Sequence, residues 1–589
     1  MYLVLIETSG NQNYIFSTNK LRENVGASEI TYRAGTQWVL EAIASITGKK
    51  RLEVWRDSKK LRKDLLNPDL NPPINEGQTA VEIILAASGK ALLLTKTQED
   101  AQAIIRTLTQ RALKEAPGLE LTGVYQAFDW EQDLLGPINK IVHQRYEAVR
   151  AAKPSGLTRF PRLPITDECQ TSGLPAQLLD RQPRSADLMP ISKLSYVKQQ
   201  QQEEGKERVN QLVQKHSDFR GYELAGDNND LEGSLNQEKG WLAIVHADGN
   251  GLGEIFLKFH EHIGATEADR SRTTGQKNRD YVNKLRKFSL ALDICTEKAF
   301  LTALKILSPA AQGTVIPLVP LILGGDDLTV VCDGRYGIPF TRKFLQEFEK
   351  ETGNTHDDVG DIIAEVAGKT FGVKRLSACA GVAVVKPHFP FSVGYELAES
   401  LIKVAKTVKT HVQKDGKPYP CSALDFHIVL DSSDVELGSI RGKLEFSEKV
   451  GNQDWGLRLY NRPYVVSRLE DLSEAPGKDW AAFHHWDKLQ SRINILLQQD
   501  EEGRRLIPNN QAHDLRAGLF QGKQAADARY RLIRDRYPTL QQLVGDSDSL
   551  FMEAPAVDRK DKPIWLTALL DAIDSAELIG SSEVHEKVQ

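Results

Sequence analysis

The order of apolar runs constrains this 589-residue chain more than any single residue type, because one succession of elements is written in it twice. Residues 2–6 are an apolar strand, and "SGNQN" is a turn. "IFSTNKLRENVGASEITYRAGTQWVLEAIASI" has the spacing of helices, separated near Gly26. A strand around "RLEVWRD" and the turn-rich loop "NPDLNPPINEG" lead to "TAVEIILAASGKALLLTKT", in which two branched apolar runs meet at Ala87-Ser88-Gly89-Lys90 and predict a hairpin. The amphipathic helix "QEDAQAIIRTLTQRALKEA" and the strand "LELTGVYQAF" close the series.

The series then returns. "GWLAIVHADGNG" is a strand ending in turn residues, followed by helical spacing in "LGEIFLKFHEHIG" and "NRDYVNKLRKFSLALDICTEKAFLTALKIL". The hairpin "VIPLVPLILGGDDLTVVCDG" comes next, then the helix "FTRKFLQEFEKETG" and the strand "LSACAGVAVVKP". The helix "FSVGYELAESLIKVAKTVKTH" and a strand near "SALDFHIVL" finish it. The repeat is one of element order, not of residue identity. Strand, helix, hairpin, helix, strand predicts an α+β chain with two ferredoxin-like or palm (nucleotide cyclase-like) domains, at 1–150 and 241–430. Between them, 151–240 combines Pro-rich turns with "YVKQQQQEEGKERVNQLVQK", which has little apolar face, and is expected to be a connector or insert with mobile segments. From 431 to 589, short strands and helical spans predict a mainly helical C-terminal domain.

A net charge of −5 argues against a basic surface that coats nucleic acid, although a local basic groove stays open. The five cysteines, Cys169, Cys295, Cys332, Cys379 and Cys421, form no CxxC pair, which suits a reducing compartment and predicts no zinc. With neither a basic leader nor 18 successive apolar residues, the chain is expected in the cytoplasm, without a membrane.

The chemistry concentrates in two strand ends. Asp248 closes "WLAIVHA", and Gly249, Asn250 and Gly251 after it allow a sharp turn that exposes backbone groups. Asp326 and Asp327 follow Gly324 and Gly325 between two apolar runs. A GGDD tip is also a good hairpin turn by its own chemistry, so the motif alone leaves both readings open. In a palm arrangement the strand and the hairpin lie side by side, which converges three carboxylates on one sheet edge. Such a cluster in a half-desolvated cleft calls for cations, and two Mg²⁺ or Mn²⁺ ions are the hard ions that carboxylates hold. That pair suits displacement of pyrophosphate from a nucleoside triphosphate such as ATP. Lys403, Lys406 and Lys409 recur every third residue on one expected helix; Lys406 is the one placed to meet triphosphate oxygens, the other reading being a solvated face.

Other motifs fall away. "EVAGKTFG" lacks the Walker glycine, with Ile363 in its place; His260 and His262 are two apart and share no helical face. "HHW" at 484–486 has no ligand-spaced neighbours, and His356-Asp357-Asp358 is expected in a loop after a helix.

The segments "TSGNQNYIFSTNKLRENVGAS", "HADGNGLGEIF", "LILGGDDLTVV" and "LSACAGVAVVKPHFPFSVGYELAESLIKVAK" together resemble the large, polymerase-like subunit of type III CRISPR effector complexes, over residues 1 to about 470. That resemblance implies paired palms that make cyclic oligoadenylate from ATP. It implies that Asp248, the Gly249 carbonyl, Asp326 and Asp327 bind metal, and that Asp326 and Asp327 help a ribose 3′-hydroxyl lose its proton. Gly324 and Gly325 would let nucleotide approach, Lys406 would face phosphates, and Ser9, Asn13 and the group from Gly26 through Ala27 to Ser28 would meet a second nucleotide. CRISPR-complex subunits or guide and target RNA are the implied partners, the chain acting as a monomer with a pseudo-twofold pair of palms or as a homo-oligomer. Because the first palm begins at once, no N-terminal HD nuclease is expected, and the single Cys169 in "ITDECQTSGLPA" departs from a zinc-bearing insert. These departures suggest a reduced or standalone relative. The alternatives are a nucleotide-binding scaffold of a defence complex without turnover, and a cyclase that works as a homodimer.

Overall fold

The computed structural model describes residues 1–48, 55–77, 79–154, 156–181, 188–226, 231, 240–263, 271–311, 313–430, 435–450, 452–558 and 562–579. It is an α+β chain with several β-sheets and a helix-rich C-terminal region. The expected strand in "RLEVWRD" lies mostly outside the described residues.

Leu3, Val4, Leu5 and Ile6 are all buried, so the first strand, Tyr2–Ser9, takes a central place covered on both faces. The first sheet runs Val81–Ala87, Lys90–Thr95, Tyr2–Ser9, Glu120–Ala127, antiparallel throughout. The second begins in the same order: Leu318–Gly324, Asp327–Asp333, Leu242–Gly249, Ala378–Val385. Ala423–Ile428 joins that sheet in parallel, and Tyr464–Val465, from the far side of residue 431, joins it antiparallel. Each hairpin also carries a register shift in its first strand. Ile84 is skipped between Ile83 and Leu85, and Leu321 between Pro320 and Ile322, each three residues before the strand's last residue. A bulge adds local twist, so both hairpins bend at the same height.

The first-unit helices break elsewhere than expected. Leu21–Gly35 runs straight through Gly26, and the chain turns at Thr36 before Gln37–Thr47. Gly26 is a packing glycine: a Cβ there would lie 1.7 Å from the Lys198 carbonyl oxygen. What presses on it is the segment expected to be a mobile connector. Lys193–Gln200 and Gln202–Gln214 are helices that pack on Leu21–Gly35. Their polar side chains escaped an apolar-periodicity reading because they are buried in pairs. Glu29, 1% exposed, accepts from Arg33 and Arg208 at 2.8 Å each, and the fully buried Lys198 donates to the Tyr14 carbonyl.

The units are joined by charge and rings. Glu82, fully buried in the first sheet, pairs with Arg279 (2.7 Å) and Arg286 (2.6 Å) of the long helix Thr274–Leu304. Phe16 stacks on Tyr395 with ring centroids 3.8 Å apart. The C-terminal region holds the helices Trp486–Leu497, Asn509–Leu519, Lys523–Arg536 and Leu569–Ile579, together with a small sheet. That sheet unites Gln453–Arg458 with Ile564–Leu566, distant in sequence and too short to show a period. No helix among the described residues is long and apolar enough to cross a membrane.

Candidate functional site

Asp248 is the penultimate residue of Leu242–Gly249, a strand held on both sides: Ala247 pairs with Leu328, and Asp248 itself with Cys379. Continuing the register one step sets Asp248 opposite Asp327. The neighbouring hairpin closes through Gly324 and Asp327, with Gly325 and Asp326 as its two-residue loop. Only Gly325, φ +62°, takes the left-handed conformation there, the pattern of a type II′ turn. Asp248, Asp326 and Asp327 are all half-buried and each offers an oxygen within 4.8 Å of the other two. Gly249 is what lets them close up, since a Cβ on it would meet Asp326 Oδ2 at 2.8 Å.

Charge in this cluster is uncomfortable by itself. Burial pushes the Asp327 carboxyl up to about 8, with the Asp326 charge adding to the effect. Burial also raises Asp326, helped by Asp293 and opposed by the N–H groups of Asp326 and Gly249. Asp293 is held up near 6 by burial, with Arg62 and the Gly325 N–H pulling the other way. Lys406 Nζ is ion-paired with Asp248 Oδ2. Burial, with the charge of Lys409 adding to it, draws the Lys406 ammonium down to about 8. Three converging, half-buried carboxylates fit a hard divalent cation, which would relieve that repulsion.

The lysines do not share one helix. Phe391–Ala405 ends one residue before Lys406, which caps it, and Val408–His411 is a separate turn; Lys403 pairs with Glu399 at 2.8 Å. The cap position is what aims Lys406 along the sheet edge. The first unit repeats the device: Lys153 caps Leu135–Ala152 and donates to Thr122 Oγ1 at 3.0 Å. It also repeats the strand-end register, with other residues. Glu7 faces Lys90 there, and the two form an ion pair at 2.9 Å.

The first-unit residues are placed separately. Ser9 donates to Glu120 Oε2 at 3.1 Å, Asn13 is exposed on the short helix Asn11–Phe16, and Ala27 is fully buried in the core. Ser28 lines a small gap of about 20 Å³ against Pro320, Leu321 and Leu323 of the second hairpin. A larger cleft of about 350 Å³ lies between the units, and both hairpins reach it: Ala87 and Ser88 from the first, Leu323 and Gly324 from the second. Arg62, Asp293 and Glu297 stand in its wall.

Sequence reasoning missed the residues that brace the site. Asn250, 7% exposed, takes its N–H to the Ser377 carbonyl (2.8 Å) and its amide to Ser377 Oγ (3.0 Å) and the Cys421 carbonyl (3.2 Å). Its place in "ADGNG" was a signal, read only as a turn. Asp293 and Thr296 lie inside a long helix with no local mark.

No protein-family model matches the chain, and no curated protein matches it. Among solved structures it is similar in fold to a chain of the Csm1–Csm4 cassette in complex with cA4, at 10% identity and a TM-score of 0.49, over 98% of this chain and 70% of that one. The same cassette in complex with AMPPNP matches at 10% identity and 0.47, again over 98% and 70%. The apo state of type III-B Cmr-beta matches at 10% identity and 0.45, over 98% and 81%.

Proposed function

We propose that this chain is a metal-dependent nucleotidyltransferase that joins nucleoside triphosphates, ATP first among them, into a cyclic oligonucleotide signal in CRISPR-type defence. The observation that carries the reading is the convergence of Asp248, Asp326 and Asp327 beside a cleft between two units of equal strand order. On this reading both units are palm domains with ferredoxin-like topology, and only the second keeps the acidic edge. The motif resemblance to type III CRISPR polymerase-like subunits points the same way.

In the reaction, a ribose 3′-oxygen bonds to the α-phosphorus of a second triphosphate, the bond to pyrophosphate breaks, and the hydroxyl proton is released. Mg²⁺ or Mn²⁺, two ions when bound, supplies positive charge for the attacking and leaving oxygens. Asp248, Asp326, Asp327 and the Gly249 carbonyl are the groups that hold it. Gly324 and Gly325 keep the tip free of side chains so that nucleotide can approach. Lys406, ion-paired with Asp248, is the cation that would meet the triphosphate oxygens. Ser9, Asn13, Ala27 and Ser28 belong to the half that seats the partner nucleotide, Ala27 through packing. Complex subunits and RNA are the proposed partners.

The test incubates the full chain with each labelled triphosphate and Mg²⁺ or Mn²⁺, with and without candidate RNA, and reads products by mass spectrometry. A cyclic product lost in Asp326→Ala is expected. Nucleotide binding without product in any mixture, equal in Asp326→Ala and wild type, would instead identify a scaffold.

A further inference from the structure

We propose that Asp293 and Thr296 are positioning residues that clamp the acidic hairpin tip, and that Arg62 and Glu297 anchor this clamp in the first unit. The inference rests on the reading of Asp248, Asp326 and Asp327 as a cation site, and adds how that site is held and what it is tied to.

Asp293, Thr296 and Glu297 are spaced i, i+3, i+4 and so share one face of Thr274–Leu304. Asp293 Oδ1 accepts the Gly325 N–H at 2.5 Å, and Thr296 Oγ1 donates to the Gly325 carbonyl at 2.6 Å. Both backbone groups of the residue before Asp326 are therefore gripped by one helix. This matters because Gly325 has no Cβ to restrict it, and rotation of the Gly325–Asp326 peptide would swing the Asp326 side chain off Gly249. The two hydrogen bonds add that limit to the one set by the Gly324–Asp327 closure. One helical turn along, Glu297 receives Arg62 Nη1 at 2.8 Å and Nη2 at 2.6 Å. Arg62 is 9% exposed and sits on Ser58–Leu66 of the first unit. A paired guanidinium and carboxylate of this geometry fix orientation as well as distance. The helix that holds the tip is thus held by the other unit, and Arg62, Asp293 and Glu297 all face the shared cleft. Whatever fills that cleft from the first-unit side bears on the carboxylates of the second through these four residues.

The test uses the full chain and Mn²⁺ alone, with affinity read by isothermal titration and by the electron paramagnetic resonance of free Mn²⁺. Thr296→Val and Asp293→Ala are expected to weaken Mn²⁺ binding about tenfold, the order set by losing one hydrogen bond between shielded groups. Thr296→Ser, which keeps the hydroxyl, is expected to bind as wild type does, and Arg62→Met to weaken binding by about threefold. Melting temperature in EDTA is followed in parallel, since a purely structural role would lower it without moving Mn²⁺ affinity. Unchanged affinity in Thr296→Val, or equal loss in Thr296→Ser, overturns the clamp; unchanged affinity in Arg62→Met overturns its anchoring. Should Asp293→Ala fail to fold, the Val and Ser pair at 296 still decides. Wild type that binds no Mn²⁺ would refute the cation site itself, a result distinct from wild type and Thr296→Val binding alike.

Discussion

Lys90 reaches Glu7 across the first sheet at 2.9 Å, at the register position that in the second sheet, one step beyond the Leu328–Ala247 pair, falls to Asp327 and Asp248. In the first unit the residue facing the strand-end carboxylate is an ammonium; in the second it is another acid, and the ammonium on Asp248 comes from Lys406 at a helix end. Replacing Lys90 with Asp should make the first edge behave like the second. Lys90→Asp is expected to lose roughly 1 kcal/mol of stability in EDTA, as facing carboxylates do, and to regain part of it with Mn²⁺. Urea unfolding with and without Mn²⁺ reads this, and a metal-independent loss would contradict the equivalence.

At the acidic edge itself, Asp248→Ala and Asp326→Ala should abolish product while circular dichroism stays native. Asp327→Asn should melt higher than wild type in EDTA, because burial and Asp326 both disfavour the Asp327 charge. It should also lose any Mn²⁺-dependent rise in melting temperature. Lower stability of all three variants in EDTA would mark the aspartates as structural caps.

Lys406 competes for the same carboxylate that a cation would use. Lys406→Gln should therefore bind Mn²⁺ more tightly, by about threefold or more, since a like charge leaves the site. The same change should raise KM for triphosphate. Titration calorimetry and steady-state kinetics separate the two effects; unchanged Mn²⁺ affinity would show that the ion pair exerts no control.

Gly381 lies in the strand Ala378–Val385 directly under the helix that Lys406 caps, and a Cβ on it would come 2.0 Å from the Ala398 carbonyl oxygen. Gly381→Ala must push that helix away, at a cost of roughly 1–3 kcal/mol. Because the helix carries Lys406, KM should rise along with the loss in unfolding free energy. Wild-type stability in this variant would mean that the strand and helix are not in such close contact.

Lys198 gives a pH dependence. Burial brings its ammonium down to about 8 from 10.5, against the pull of Glu23. Below pH 8 the folded chain keeps the buried charge and bears its cost in full. Between 8 and 10.5 the unfolded chain binds a proton that the folded chain has released, so stability rises with pH in that window. The slope is at most about 1.4 kcal/mol per pH unit. Urea unfolding of wild type minus Lys198→Met should show the rise; a flat difference would mean that Lys198 titrates normally.

The succession of elements and the acidic strand ends were legible because they are local. Apolar runs with turn residues at Gly89 and Gly325 declare hairpins, and "HADGNG" with "GGDD" declares strand ends rich in carboxylate. The break assigned to Gly26 went astray because a glycine inside a helix reads as a breaker, when here it makes room for the Lys198 carbonyl. The helices of 193–214 were hidden for a related reason: their buried faces carry only a few apolar residues, Leu194, Val209 and Val213, and are completed by polar groups such as Lys198, Asn210 and the Arg208–Glu29 pair.

What the linear chain determined by itself is the doubled succession of elements and the chemistry of their ends, since backbone periodicity and turn preferences act over a few residues. Only the tertiary structure decided that Lys406 caps a helix and meets Asp248, that Lys90 takes the place of an acid, and that Arg62 ties one unit to the helix gripping the other's tip. Those pairs join residues as much as 235 positions apart. Their partners are chosen by packing and by the need to satisfy buried charge, and neither leaves a trace in local sequence.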